Sequence, residues 1–279
     1  MKRIITLLTG ICFALTGFAQ EDTVKISTGD TIRVGSMIII KKGDGKTGSS
    51  SNIEINKRKE YKKSNVTTNW WILDLGMARF DDQTNYSSAA IQNPLTGFAP
   101  GSDKDWFKLR NGKSVNVNIW FFMQRLNVIK NVVNLKYGMG LELNNYRYSR
   151  QVTYLTDPTK VILVDPVINK YSKNKLAADY LTVPLMLNIN FTPNRKNGFG
   201  LSAGVSAGYL YSSRQKIISG GDGKQKEKDD FDLRPFKISY VGELQLGPVK
   251  LYGSLATQSM FEKGLDQTPY NIGLRFSNW

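Results

Sequence analysis

"VNLKYGMGLELN", residues 133–144, alternates without a break. Val133, Leu135, Tyr137, Met139, Leu141 and Leu143 share one face; Asn134, Lys136, Gly138, Gly140, Glu142 and Asn144 share the other. A period of two sustained this far predicts a β-strand with two unlike faces. The composition of the faces decides the fold. A water-facing strand surface interleaves Lys, Glu and Thr, whereas here the apolar face carries no charge. The opposite face is small and polar with isolated charges, which is what the narrow lumen of an eight-stranded barrel can hold. An apolar outside and a polar inside is the polarity of a barrel in lipid.

The pattern recurs outward in both directions. "WWILDLGMARF" sets Trp71, Leu73, Leu75 and Met77 against Ile72, Asp74, Gly76 and Ala78. "SVNVNIWFFMQ" sets Val115, Val117, Ile119, Phe121 and Met123 against Asn116, Asn118, Trp120 and Gln124. "YLTVPLMLNINF", "FGLSAGVSAGYLY", "FKISYVGELQL", "VKLYGSLAT" and the closing "YNIGLRFSNW" complete eight alternating runs. Long connectors (about 81–112, 147–176 and 212–232) alternate with short ones such as "RLNVIKN", "TPNRKN" and Gly247–Pro248, the rhythm of long outer loops and short periplasmic turns. The fold expected is an all-β, eight-stranded, antiparallel up-and-down transmembrane barrel. Pro184 falls inside the fourth run and requires a bulge or an unpaired N–H position.

The first residues read as an export signal. Lys2 and Arg3 precede the apolar stretch from Ile4 to Phe18, and Gly17 and Ala19 suit cleavage after Ala19. The division expected is 1–19 signal peptide, 20–68 periplasmic extension and linker, and 69–279 barrel. Short strand-like runs surround Gly29 and Gly35 in the extension. "GDGKTGSSSN" has linker composition and "NKRKEYKK" is a basic run. The lone cysteine, Cys12, leaves with the signal, so thiol chemistry is not expected. The expected location is the outer membrane.

The chain is basic, with 38 Lys+Arg against 23 Asp+Glu. Export and the dispersal of these residues through loops argue against nucleic acid. Outer-membrane lipids and surface glycolipid are the partners expected from charge, the plainer alternative being solubility of long loops. Histidine is absent. Enzymes built on membrane barrels generally use it as a base, so no enzymatic activity, cofactor or metal is expected. "GDGKT" at 43–47 is not a phosphate loop, because Ile40 stands where the motif needs glycine.

Three groups of residues are singled out. Asp74, Lys136, Glu243 and Arg275 lie on polar faces at a similar height, and Asp74 and Arg275 sit on runs that adjoin in a closed barrel. They are expected to pair as a static plug or a gate, the plug being the simpler reading. Glu142 sits higher with no evident partner. Trp70, Trp71 and Phe199, with Trp279, are expected at the periplasmic interface. Tyr209 and Tyr270, with Phe80, Tyr146 and Phe236, are expected at the outer one. Trp106 and Phe107 are expected to anchor the second run. Asn271, Gly273, Phe276 and Trp279 fit a polar-x-Gly-x-x-aromatic signal ending on an aromatic, read by the barrel-assembly machinery.

Tyr180, Leu181, Val183, Pro184, Leu185 and Leu187 fill the pattern Tyr-Leu-x-(Ile/Val)-Pro-Leu-x-Leu. Together with Ala19–Gln20 and the terminal Trp279, this resembles the PorT-like outer-membrane barrels of Bacteroidetes, over about residues 69–279. The resemblance implies the barrel and gives Pro184 a precedent. It implies no activity, since no residue here marks the secretion role of the founding group. The reading is thus a non-enzymatic structural or interaction protein of the envelope, with an envelope protein as a possible partner. A narrow pore is the alternative within the same fold. A secreted lipocalin-like binder is the rival from another class, and it would carry its apolar face inward.

Overall fold

The structure is a computed structural model that describes residues 31–34, 37–40, 55–57, 64–165, 170–193 and 198–277. The expected signal peptide, the Gly/Ser linker and Trp279 lie outside the described residues. The chain divides into two compact units, 1–63 and 64–279. In the first, β1 (Thr31–Val34) and β2 (Met37–Ile40) form an antiparallel pair, and β3 (Ile55–Lys57) adds to β2.

The second unit is a closed ring. Its strands are β4 (Val66–Asp82), β5 (Val115–Ile129), β6 (Val133–Arg147), β9 (Tyr171–Asn190), β10 (Phe199–Ser219), β12 (Phe236–Leu246), β13 (Val249–Ala256) and β14 (Gln267–Phe276). Each is antiparallel to its neighbours. The ring shuts where β14 pairs with β4, from Gln267 opposite Asp82 to Phe276 opposite Leu73. All eight alternating runs of the sequence are ring strands. At one end the connections are tight. Lys130 and Asn131 both take positive φ (45° and 59°), as a two-residue type I′ hairpin turn requires. Gly247 (φ 63°) leads the Gly–Pro turn. At the other end lie the long connections. These hold α1 (Ala89–Gln92), the hairpin β7 (Val152–Thr156) with β8 (Thr159–Leu163), and β11 (Gly223–Glu227) paired to β10.

The barrel is apolar outside and polar inside. Leu73, Leu75, Val183, Leu185, Leu187, Leu201, Val205, Ile272 and Leu274 point outward and are exposed, whereas Asp74, Asn116, Asn118, Asn188, Ser202 and Glu243 are buried in the lumen. A water-soluble protein rarely shows a contiguous apolar surface beyond a few hundred Å², and here such a band girdles the barrel. The outward run of β10 from Phe199 to Tyr211, tilted as barrel strands are, rises roughly 30 Å, the thickness of a hydrocarbon core. This polarity is the reverse of a lipocalin-like binder's.

The structure refines the sequence reading at three places, the last of which meets the expectation for Pro184. First, Phe121 is an extra residue in β5, because Trp120 faces Gly140 while Phe122 faces Met139. The bulge shifts the parity below it. Met123 turns into the lumen, where it is fully buried, instead of sharing the outward face. Beside it Trp71 takes φ 56°, so Trp70 and Trp71 both face outward against Phe122 and Phe121. Second, β9 and β10 overrun the lengths expected. Residues 171–176 and 212–219, expected as connectors, continue the ladder to Ser219 opposite Tyr171. "GGDGK" at 220–224 is the turn into β11 together with that strand's first residues. Third, the β6–β9 ladder skips the positions between Tyr137–Leu185 and Gly140–Thr182. Pro184, which has no N–H to give, sits in that gap.

Candidate functional site

Two charged floors fill the lumen. In the lower one Arg275 donates from Nε to Asp74 Oδ1 at 2.7 Å and from Nη2 to Asp74 Oδ2 at 2.8 Å. Its Nη1 reaches Glu243 Oε2 at 2.6 Å. Lys136 Nζ donates to the other Glu243 oxygen at 2.7 Å. All four side chains singled out from sequence therefore meet in one network, and all are buried. Trp120 Nε1 and Asn118 Nδ2 add donors to Asp74 Oδ2 at 2.7 and 3.1 Å. The Arg275 guanidinium also lies over the Trp120 ring, 5.4 Å from its centroid. An unpaired charge at such a site is costly, and each of these has an opposite charge, with Asn118 and Trp120 adding neutral donors to Asp74.

The upper floor centres on Glu142. Sequence reasoning found it no partner. The partner is Lys237, whose Nζ bonds to Glu142 Oε1 and lies 4.3 Å from the Tyr180 ring centroid. Asn144 and Asn271 each donate to the same carboxylate at 3.1 Å. The signal for Lys237 was in the sequence. It stands between Phe236 and Ile238 with the same parity as Glu243, and so faces inward. Alongside the lower floor Ile72, Trp120, Met123 and Met186 form a small apolar cluster, with Met186 opposite Lys136 in the β6–β9 ladder. The space left among Asn118, Trp120, Glu142, Tyr252 and Arg275 is about 20 Å³, room for about one water.

Above the lumen, the long connections build a core of their own. Ile91 of α1, Phe98, Phe107, Tyr148, Val152, Tyr154, Val161, Phe231, Phe261 and Leu265 are buried together over the mouth, with Leu176 and Ala178 from the overrun of β9. Tyr154 stacks on Phe261 and bonds through its hydroxyl to that of Tyr148 at 2.7 Å. Backbone bonds tie the loops to one another: Val161 N–H to the Phe98 carbonyl at 2.7 Å, and Gln83 N–H to that of Asp266 at 2.9 Å. Buried Gln215 of β10 donates to the Val152 carbonyl at 3.0 Å and accepts from Tyr154 N–H at 3.0 Å, locking the hairpin to the barrel wall. Burial pushes the Tyr148 and Tyr154 phenols above their ordinary range, and Asp82 adds to this. Tyr86 is raised likewise by burial and by its bond to Asp82.

This cap corrects several expectations. Tyr146 and Phe80 are not outer-interface aromatics. They face inward, 5.7 Å apart, and Tyr146 belongs to the cap core. Phe107 likewise packs in the cap, stacked on Tyr86, with Trp106 against the same cluster. Tyr209, Tyr270 and Phe236 do face outward near the long-loop end, as Trp70, Trp71 and Phe199 do near the other. Of the expected assembly signal, Asn271 bonds Glu142 in the lumen and Phe276 points outward. Gly273 lies against Gly76, where a methyl group would overlap the Leu75 carbonyl.

An outer membrane protein β-barrel domain model matches residues 82–266, more than half of the chain. No curated protein matches it. The matched stretch starts at the last residue of β4 and ends just before β14, so the pair of strands that closes the ring is supplied by the structure alone. A closed eight-stranded ring with a lipid-like exterior, together with this match, makes the chain a member of the outer-membrane β-barrel family and an integral outer-membrane protein.

Proposed function

We propose that this protein is a sealed, non-enzymatic barrel whose work is structural or adhesive. The capped outer end would contact an envelope component, and the lumen would not conduct. The observation that supports this is the filled interior. Each carboxylate is paired, Asp74 and Glu243 with Arg275 and Lys136, and Glu142 with Lys237. Buried Lys250 and half-buried Arg125 add positive charge beside Glu243, and the side chains leave only about 20 Å³ among Asn118, Trp120, Glu142, Tyr252 and Arg275, so the lumen is closed by packing and unfavourable to cations. The lumen carboxylates are also held by cations instead of being poised as acid or base. On this reading the four lower residues are a static plug. The chain would be exported by a cleaved signal in a Gram-negative cell. The PorT-like group is the branch of the family it resembles, and an envelope or secretion assembly is the setting proposed for it. The barrel-assembly machinery would read Asn271, Gly273, Phe276 and Trp279 during insertion.

Planar-bilayer recording of the folded protein tests the seal. The proposal expects no discrete current steps from the wild type, whereas steady single-channel steps would favour the narrow pore. A photo-crosslinking residue at Leu95, 86% exposed on the cap, tests the contact in cells. A discrete adduct with an envelope component is expected, and failure to form one at Leu95 and at Lys263 would count against an adhesive cap.

A further inference from the structure

The overrun of β9 and β10 carries a feature that folding alone does not explain. Outward-facing residues Arg147 of β6, Lys175 of β9, Lys216 of β10 and Lys226 of β11 are opposite one another in succession: Arg147 pairs with Lys175, Lys175 with Lys216, and Lys216 with Lys226. Directly paired residues of neighbouring strands share a face, with Cβ atoms about 4.5–5.5 Å apart. Four cations thus form a row across four strands. A second row lies one step higher, with Lys173 and Lys224 flanking Ile218, and Arg214 lies one step lower. The charges of Lys224, Lys173, Lys226 and Arg214 all bear on Lys216. Asp179 is the carboxylate on this face, and Arg214 already binds it. Glu227, opposite Gln215, is on the other face.

Like charges directly opposite in a sheet are destabilising. Nothing in the barrel requires lysine here, because this is an outward surface above the apolar band. Its height is the second observation. On β10 the outward series runs Tyr209, Tyr211, Arg214, Lys216. The girdle tyrosines mark the interface, and Arg214 is roughly 10 Å further along the strand at the usual rise per residue. That is the depth of head groups.

We propose that this cationic ladder is a docking site for a phosphate-bearing glycolipid of the outer leaflet, whose phosphates bridge the Arg147–Lys175–Lys216–Lys226 row while its acyl chains lie on the apolar band beneath. The proposal rests on the membrane placement given above and adds a ligand class and named residues to it. Bound polyanion offsets the repulsion that the bare row stores, so the site is also a stabilising clamp on the β9–β10–β11 overrun.

The test uses the full chain folded in a zwitterionic detergent, with its heat-dependent gel mobility checked first. It is titrated with lipid A carrying two phosphates, with the same lipid dephosphorylated, and with inorganic pyrophosphate, and binding is read by native mass spectrometry. The triple variant Lys175→Gln, Lys216→Gln, Lys226→Gln is compared with a control of equal charge change on the cap, Lys104→Gln, Lys108→Gln, Lys113→Gln. The expected result is binding of the phosphorylated lipid that falls roughly a hundredfold in the ladder variant and stays unchanged in the control. In lipid-free detergent the ladder variant should melt higher than the wild type, and lipid A should raise the melting temperature of the wild type and of the control but not of the ladder variant. Equal loss in both variants, equal binding of dephosphorylated lipid, or pyrophosphate binding as tightly as the lipid would overturn the proposal. Loss of the heat-dependent mobility in the wild type would instead indict the membrane reading beneath it.

Discussion

Arg275 is the residue on which the lower floor turns, since it bonds to both carboxylates. Arg275→Met would leave Asp74 without its bidentate partner and Glu243 without one of its two hydrogen-bonded cations. Breaking a buried pair from one side costs about 3–5 kcal/mol, whereas replacing a whole network by apolar groups is often neutral. The expected outcome is a urea midpoint for Arg275→Met well below wild type. Adding Asp74→Leu and Glu243→Leu with Lys136→Met should recover most of the loss. If Arg275→Met unfolds like the wild type, the floor is not a structural plug. Gly273 gives a second test at this scale. A Cβ there meets the backbone of the opposite strand, so Gly273→Ala should destabilise the folded barrel by about 1–3 kcal/mol through overpacking. The equilibrium unfolding midpoint separates this from any effect on assembly kinetics. The ends of these networks were partly legible in the sequence. Parity alone placed Asp74, Lys136, Glu243 and Arg275 on one inner surface, because a period of two assigns a face without knowing the partner. Lys237 was equally readable from its neighbours. The height at which charges meet was harder, because it depends on strand stagger and not on parity.

Among the elements, β5 shows where periodicity stops working. One extra residue at Phe121 turns Met123 inward and lets two successive tryptophans of β4 face lipid. The one trace in the sequence is Phe122, an aromatic that strict alternation puts on the polar face. The cap was not legible at all. Its core joins α1, the β7–β8 hairpin and loops far apart along the chain, and no local period reports such contacts. It should respond to mutation separately from the barrel. Tyr154→Ala removes a stacked ring and a buried hydroxyl bond, at a cost of about 3–5 kcal/mol for a large aromatic. External protease should then cut within 83–114 or 148–170 in intact cells, while the heat-dependent mobility of the barrel persists. Unchanged protease resistance would mean that the loops are held by something other than this core. The cap also has a pH limit. Its tyrosines are held neutral above their ordinary range, so the folded cap keeps protons that the opened one releases. Its stability is fully present below about pH 10 and falls as pH rises beyond the unfolded value. Loop proteolysis measured across pH 8–12 should rise only above about pH 10.

At the level of the whole molecule, the account joins an apolar exterior, a lumen filled by side chains and a capped outer mouth. The first was readable in the sequence to within the bulge, because lipid imposes its demand on every outward residue independently. The second was readable in part, the third not. The most direct test of a membrane-embedded, fully closed barrel is fractionation of cells expressing the tagged chain, followed by electrophoresis of the membrane fraction with and without boiling. The account predicts recovery in the outer-membrane fraction, release only by detergent, and a shift in mobility on boiling. Recovery of the chain in the soluble periplasmic or secreted fraction, with one mobility whether boiled or not, would contradict it.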